Sequence, residues 1–241
     1  TPETYWRGGL SSWGIALAKE GHYVETLAPG ASITYGNTSN AQDLSNFDVY
    51  IVDEPNVLFT AAQKTAIMNF VKNGGGLFMI ADHTVSDRNN DGSDSPKIWN
   101  DLMNNNTVQT NPFGLAVELT NISQTSTNVL VDPANTILNG SQGAVSKLIF
   151  HNGATIKLTP AANANAKGLI WQTGVARTST TKVMCASSTF FNGRVVLLTD
   201  SSPADDGTGN PSDTLYPGWT DAAGNHTRLH LNASYWLAKL Q

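Results

Sequence analysis

The chain is poor in cysteine and poor in charge. Cys185 is its single cysteine, which excludes an intrachain disulfide and any zinc site built on cysteine. It lies in the apolar run KVMCASSTFF, so it reads as a packing thiol rather than a nucleophile. Charged residues make up 14% of the chain and the net charge is −5. There is no Lys/Arg cluster, and a phosphate backbone needs a basic surface, so nucleic acid is excluded as the main partner. Long apolar runs are missing too, so no membrane-spanning helix is expected and no membrane partner. Neither an internal repeat nor a low-complexity linker divides the sequence, and 241 residues suit one α/β domain with a full core, residues 1–241. Asn, Thr, Ser and Gly are plentiful instead. That composition suits a secreted, extracellular protein; no signal peptide is visible, and a mature chain beginning at Thr1 would have lost one.

Helix and strand patterns alternate along the first half. GGLSSWGIALAKEG places Leu10, Trp13 and Leu17 at helical spacing, with Gly21 as the C-terminal cap. HYVETLA reads as a strand, and FDVYIVDEP as a second one, apolar in its middle as a parallel strand covered on both faces should be. A helix follows from Thr60 to Asn73, with Thr60 and Gln63 as a capping box and Ile67, Phe70 and Val71 as its buried stripe. Gly74 to Gly76 end it, and GLFMIAD is the third strand. Repeated crossover units of this kind predict an α/β fold: a doubly wound, mostly parallel sheet with helices on both faces. The second half is irregular and β-rich. SKLIFHNGATIKLTP, AKGLIWQTG and TKVMCASSTFFNGRVVLLTD read as strands, FNGR as a hairpin turn, and HTRLHLNASYWLAKL as a closing helix with Leu229, Ala233, Trp236 and Leu240 on one face. The polar stretch from Asn104 to Ser126 reads as an excursion.

The segment FDVYIVDEP…TAAQKTAIMNFVKNGGGLFMIADH resembles the central part of the class I glutamine amidotransferase-like superfamily, of flavodoxin-like fold, nearest its trehalose-utilisation-like branch. NGRVVLLTDSS with the terminal helix resembles that superfamily's closing strand and helix. The resemblance covers about half of the chain and implies a single amidotransferase-like domain with its functional loop after the third strand. Two departures matter. Where the resemblance implies a nucleophilic cysteine stand Ala81, Asp82 and His83, so glutamine hydrolysis by that route is excluded. The opening strand of the superfamily is also missing, because TPETYWRGG already reads as the loop behind it. An upstream fragment of the same precursor is expected to supply that strand, since unpaired inner backbone groups are costly.

Behind the third strand, Asp87-Arg88-Asn89-Asn90-Asp91-Gly92 matches the first half of a D-x-[DN]-x-[DN]-G calcium loop, in which alternate side chains converge on one cation. Ile98 stands where an EF-hand needs its closing Glu, so this is not an EF-hand. A structural calcium held by Asp87, Asn89, Asp91, Ser93 and Asp94 is expected, against the alternative of a solvated turn whose side chains bond their own backbone.

Three strands end in polar clusters: Asp53-Glu54, Asp82-His83 and Asp200-Ser201-Ser202, with Asp205 and Asp206 beyond. Ligands of open parallel sheets bind outside the carboxyl ends of the strands. Glu54, Asp82, His83, Asp200 and His226 are therefore the candidate catalytic residues, as acid and base or around a second divalent metal that activates water. His226 and His230 are four apart on the last helix, a spacing that also suits a metal pair. No G-x-S-x-G turn surrounds Ser201 or Ser202, which argues against a serine hydrolase. Tyr5, Trp6, Trp99, Tyr216 and Trp219 add aromatic faces. The reading is a metal-assisted hydrolase of a polar polymer or carbohydrate; the alternative is a non-catalytic, calcium-stabilised binding or interaction domain.

Overall fold

The computed structural model describes residues 8–28, 30–209 and 214–241. Among the described residues eight strands form: β1 Val49–Asp53, β2 Gly76–Ile80, β3 Leu115–Ser126, β4 Gly143–Ala144, β5 Leu148–Leu158, β6 Lys167–Trp171, β7 Val183–Phe190 and β8 Gly193–Leu198. The helices are α1 Ser11–Lys19, α2 Ala61–Lys72, α3 Ser95–Asn104, the single turn α4 Thr136–Asn139, and α5 His226–Leu237. All strands but β4 join one seven-stranded sheet in the order β1-β2-β8-β7-β5-β3, with β6 also on β7.

The sheet is mixed, which corrects the expectation of a mostly parallel, doubly wound one. Only β1, β2 and β8 run parallel; β8·β7, β7·β6, β7·β5 and β5·β3 are antiparallel. The hairpin turn Phe191-Asn192 forces this reversal, because a two-residue link can join only antiparallel strands. A second correction concerns the stretch before Ser126, which is no excursion. LAVELTNISQTS alternates buried and outward residues and forms β3, the far edge of the sheet. HYVETLA, conversely, is not a strand: residues 22–28 are irregular, with Tyr23 77% and Val24 41% exposed. Among the described residues no strand pairs with it, and β1 is the outermost described strand on that side of the sheet. Its five residues are half-buried rather than covered.

Helices do cover both faces. Leu77 and Met79 of β2 enter one core layer with Ile67, Phe70 and Val71 of α2 and Trp99 and Leu102 of α3. Phe78 and Ile80, one residue out of phase, enter the other with Trp13 of α1 and Leu229, Ala233 and Leu237 of α5. Each fully buried side chain of β2 contributes roughly 1.5–3 kcal/mol. The α2 capping box forms as the spacing predicts, Thr60 Oγ1 accepting from Gln63 N and Gln63 Oε1 from Thr60 N. The glycine turn behind α2 is sterically required: a Cβ on Gly75 would lie 2.3 Å from the Phe70 ring, and one on Gly76 2.7 Å from Leu237. That close approach sets the height at which β2 delivers Asp82. The closing helix stops at Leu237, so Leu240 leaves the buried stripe and is 60% exposed.

Candidate functional site

β1, β2 and β8 run parallel in register, with Asp53 opposite Ile80 and Ile80 opposite Leu198. Their carboxyl ends therefore release Asp53-Glu54, Asp82 and Asp200 along one crest, as the three polar endings predict. Glu54 leaves the strand with φ 39, a left-handed turn that a non-glycine residue adopts at a cost of about 1–3 kcal/mol. That turn swings its carboxyl towards β2. There the Glu54 and Asp82 carboxyl groups share a hydrogen bond.

Arg88 closes the pair from above. Its Nε donates to Glu54 Oε1 at 3.0 Å and its Nη2 to Oε2 at 3.0 Å, while Nη2 lies 3.5 Å from Asp82 Oδ2. This two-pronged contact is the strong form of carboxylate recognition. Ser201 Oγ, from the turn after β8, donates to Glu54 Oε2 at 3.4 Å. Asp82 is fixed from below by its own backbone, whose N–H donates to Ser95 Oγ at 2.8 Å, while Asp82 Oδ1 accepts the His83 N–H at 2.8 Å.

The electrostatics follow from burial. Burial first, then the adjacent Asp82 charge, pushes the Glu54 carboxyl up to about 7, against the pull of Arg88. Burial also raises Asp82, but the hydrogen bond from Glu54, the His83 amide and Arg88 oppose it. The shared bond raises one partner and lowers the other, so the two carboxyls titrate as a unit that keeps a proton to higher pH than two separate carboxyls would. Asp53, behind them, is raised well above the usual carboxylate range by burial, then by Glu54, Asp82 and Asp205.

The other candidates have different surroundings. The His83 ring is held by its own turn, with Nδ1 lying 2.5 Å from Thr84 O. Asp200 accepts the backbone N–H of His151 at 2.5 Å and of Ser202 at 2.9 Å, fully buried, so it pins β5 to the turn after β8. His226 is likewise tied: Nε2 accepts from Ile149 N at 3.1 Å, which leaves Nδ1 to donate to Gly218 O at 2.7 Å. His230 Nδ1 bonds His226 O at 2.7 Å, and its ring packs among Trp13, Phe78 and Trp219. Burial pushes His230 down to about 3, so it stays neutral. The two histidines serve the backbone individually and do not converge on one ligand.

In the loop at 87–94, Asp87 accepts from Asp91 N at 3.1 Å and Gly92 N at 2.7 Å, Asn89 Oδ1 from Asp91 N at 3.1 Å, and Asp91 Oδ1 from Ser93 N at 2.8 Å. Gly92, at φ 89, supplies the left-handed step. Asp94 faces inward as the N-cap of α3, accepting from Lys97 N and Val85 N. Among the described residues no group of three His, Cys, Asp or Glu side chains is arranged to hold a metal ion. What the loop does deliver is Arg88, with Asn89 anchoring it by donating to Asn56 O at 2.5 Å. Sequence reading passed over Arg88 as a spacer in the calcium pattern. Its signal was being the single cation among the acids there.

No family model matches the chain, and neither does any curated protein. The fold has solved counterparts. The N-terminal domain of mmIFT52 is similar over 95% of this chain and 90% of its own, at 13% identity and a TM-score of 0.61. A protein from Parabacteroides merdae described as ThuA-like is similar over 96% of this chain and 85% of its own, at 11% identity and a TM-score of 0.55. The structural neighbours thus include the trehalose-utilisation branch that the sequence resembles. At such identities the likeness is one of fold.

Proposed function

We propose that the protein is a hydrolase in which the Glu54–Asp82 pair activates water against the carbonyl of an ester or amide on a polar substrate. The observation that carries this reading is the close pair of Glu54 and Asp82 carboxyl groups, both pushed up by burial and both within reach of Arg88, at the carboxyl ends of parallel strands. Asp82 takes a proton from water as the water oxygen bonds to the carbonyl carbon, and Glu54 gives its proton to the carbonyl oxygen. In the collapse that follows, Asp82 passes its proton to the leaving oxygen or nitrogen while Glu54 recovers one from the tetrahedral intermediate. The pair ends as it began. Arg88 holds Glu54 in place and stabilises the anion that exists between the two transfers.

Carbonyl chemistry fits the pair better than glycoside cleavage, which needs carboxyl groups about 5–5.5 Å apart for retention or about 6.5–9.5 Å for inversion. Hydrogen-bonded carboxyls are too close for either. A polar polymer thus enters as an acylated one, in keeping with the secreted setting that the composition suggests. On this reading the chain is a member of the amidotransferase-like superfamily that lacks the cysteine and places a proton-sharing acid pair nearby. The alternative, a calcium-stabilised binding domain, draws support from the loop at 87–94, whose Asp87, Asn89 and Asp91 oxygens gather in one short turn.

The test is hydrolysis of p-nitrophenyl acetate and of an acetylated polysaccharide by wild type, Asp82→Asn and Glu54→Gln. Each variant is expected to lose about 10²–10⁴-fold in rate, the usual worth of a positioned acid or base, while still melting cooperatively. Cleavage no faster than the blank, or variants as active as wild type, would replace the enzyme by the binding domain.

A further inference from the structure

Buried polar oxygens without a partner gather at the same crest. Asp53 Oδ1 and Asn56 Oδ1 are buried and make no hydrogen bond. Both lie where the chain leaves β1, Asp53 as its last residue. Facing Asp53 are Glu54, Asp82 and Asp205, with Arg88 as the cation among them. Each buried oxygen left unmatched costs about 1–3 kcal/mol, more when charged. A ligand that repairs this edge must bring hydrogen-bond donors and positive charge. A hydroxyl brings one donor together with further lone pairs, whereas an ammonium has three donors and no acceptor. Beside the acids, Tyr216 stacks on His151 at 4.9 Å; its N–H is held by Asp205 and that of His151 by Asp200. That flat pair offers a surface for the methylene stem of a cation.

We infer that the substrate of this site carries a primary ammonium group, seated against the unpartnered oxygen of Asp53. The inference rests on the proposed cleft for its location, and it narrows the substrate to esters or amides of amine-bearing compounds such as lysine. Asp53 also ties binding to protons. Held protonated by burial and by Glu54, Asp82 and Asp205, it ionises when an ammonium docks, so binding releases a proton.

Calorimetry of the full chain with cadaverine, a five-carbon diamine, against the diol of the same length separates charge from shape. The diamine is expected to bind about tenfold or more tightly, to release a proton in buffers of differing ionisation enthalpy, and to weaken as salt is added. Asp53→Asn, which substitutes a neutral amide for a neutral acid, should fold and lose the preference. Equal binding of diamine and diol overturns the inference, and so does a preference that survives Asp53→Asn; should that variant fail to fold, the wild-type comparison decides alone. Exclusion of the diamine by magnesium or calcium would also overturn it, in favour of a metal site. Hydrolysis of Nα-acetyl-lysine methyl ester against its norleucine counterpart keeps the two readings apart. Diamine binding with neither ester cleaved would sink the hydrolase and leave the ammonium site. Equal cleavage of both esters would do the reverse.

Discussion

Replacing Glu54 by Gln removes the titration; the amide can still donate to Asp82 and accept one of the two Arg88 bonds, so any cost of the lost prong is the same at every pH. In the folded chain burial lifts this carboxyl from 4.5 to about 7. At about 1.4 kcal/mol per pKa unit, the charged form is disfavoured by roughly 3 kcal/mol. The side chain is only 11% exposed, so solvent relieves little of that cost, and the figure belongs to the Glu54–Asp82 pair as a unit. The folded pKa lies above the unfolded one. Its contribution is therefore complete below about 4.5 and is lost as pH rises through about 7. Gln has no such loss. A chain of this size shifts in Tm by about 2–4 °C per kcal/mol. Thermal melting should then find the Tm of the variant relative to wild type rising by about 6–12 °C between pH 4.5 and well above pH 7. A difference that stays constant with pH, or one of opposite sign, would refute the buried proton.

Hydrolysis by the pair should decline above about pH 7 as Glu54 loses its proton, and at low pH as Asp82 gains one; a rate rising steadily to alkaline pH would contradict that assignment. His226→Ala leaves Ile149 N–H and Gly218 C=O unpaired, so it should lower stability by about 2–4 kcal/mol in denaturant titration without changing the rate per folded molecule. If the loop at 87–94 takes calcium, melting in millimolar calcium should exceed that in chelator and the gap should vanish in Asp87→Asn; identical curves would leave it a solvated turn. β1 turns Glu54 N–H and Asp48 O towards β2, so by alternation the backbone of Val49 and Ile51 faces the other way, where no described strand pairs with it. Hydrogen exchange there should slow in a longer precursor whose upstream segment adds a strand, and unchanged exchange would count against such a strand.

Much of the scaffold was legible because local chemistry dictates it. The capping box at Thr60 and Gln63, the glycine turn after α2 and the unbroken apolar run of β2 each have one good solution, and together they aim Asp82 at the crest. Strand direction in the second half was less legible. The FNGR turn is visible in the sequence, but the antiparallel reversal follows only from its two-residue length in the folded chain, and β3 reads as polar because one of its faces meets solvent. Acidic strand ends located the site without ranking its residues. Asp200 and His226 have the right side chains but are occupied by backbone amides and a carbonyl, a fact of tertiary packing. Glu54 was recognised as acidic; its proton depends on a left-handed turn and on a loop that brings Arg88 from 34 residues away.

The central claim is that Glu54 and Asp82 share one proton. Carboxyl carbon NMR of the labelled protein, titrated in wild type and in Asp82→Asn, reads that proton directly. The account predicts that Glu54 titrates near 7 in wild type, that Asp82 senses the same step, and that Glu54 titrates lower once Asp82 carries no charge. Glu54 titrating between about 4 and 5, as an unperturbed carboxyl does, and unmoved by Asp82→Asn, would contradict it.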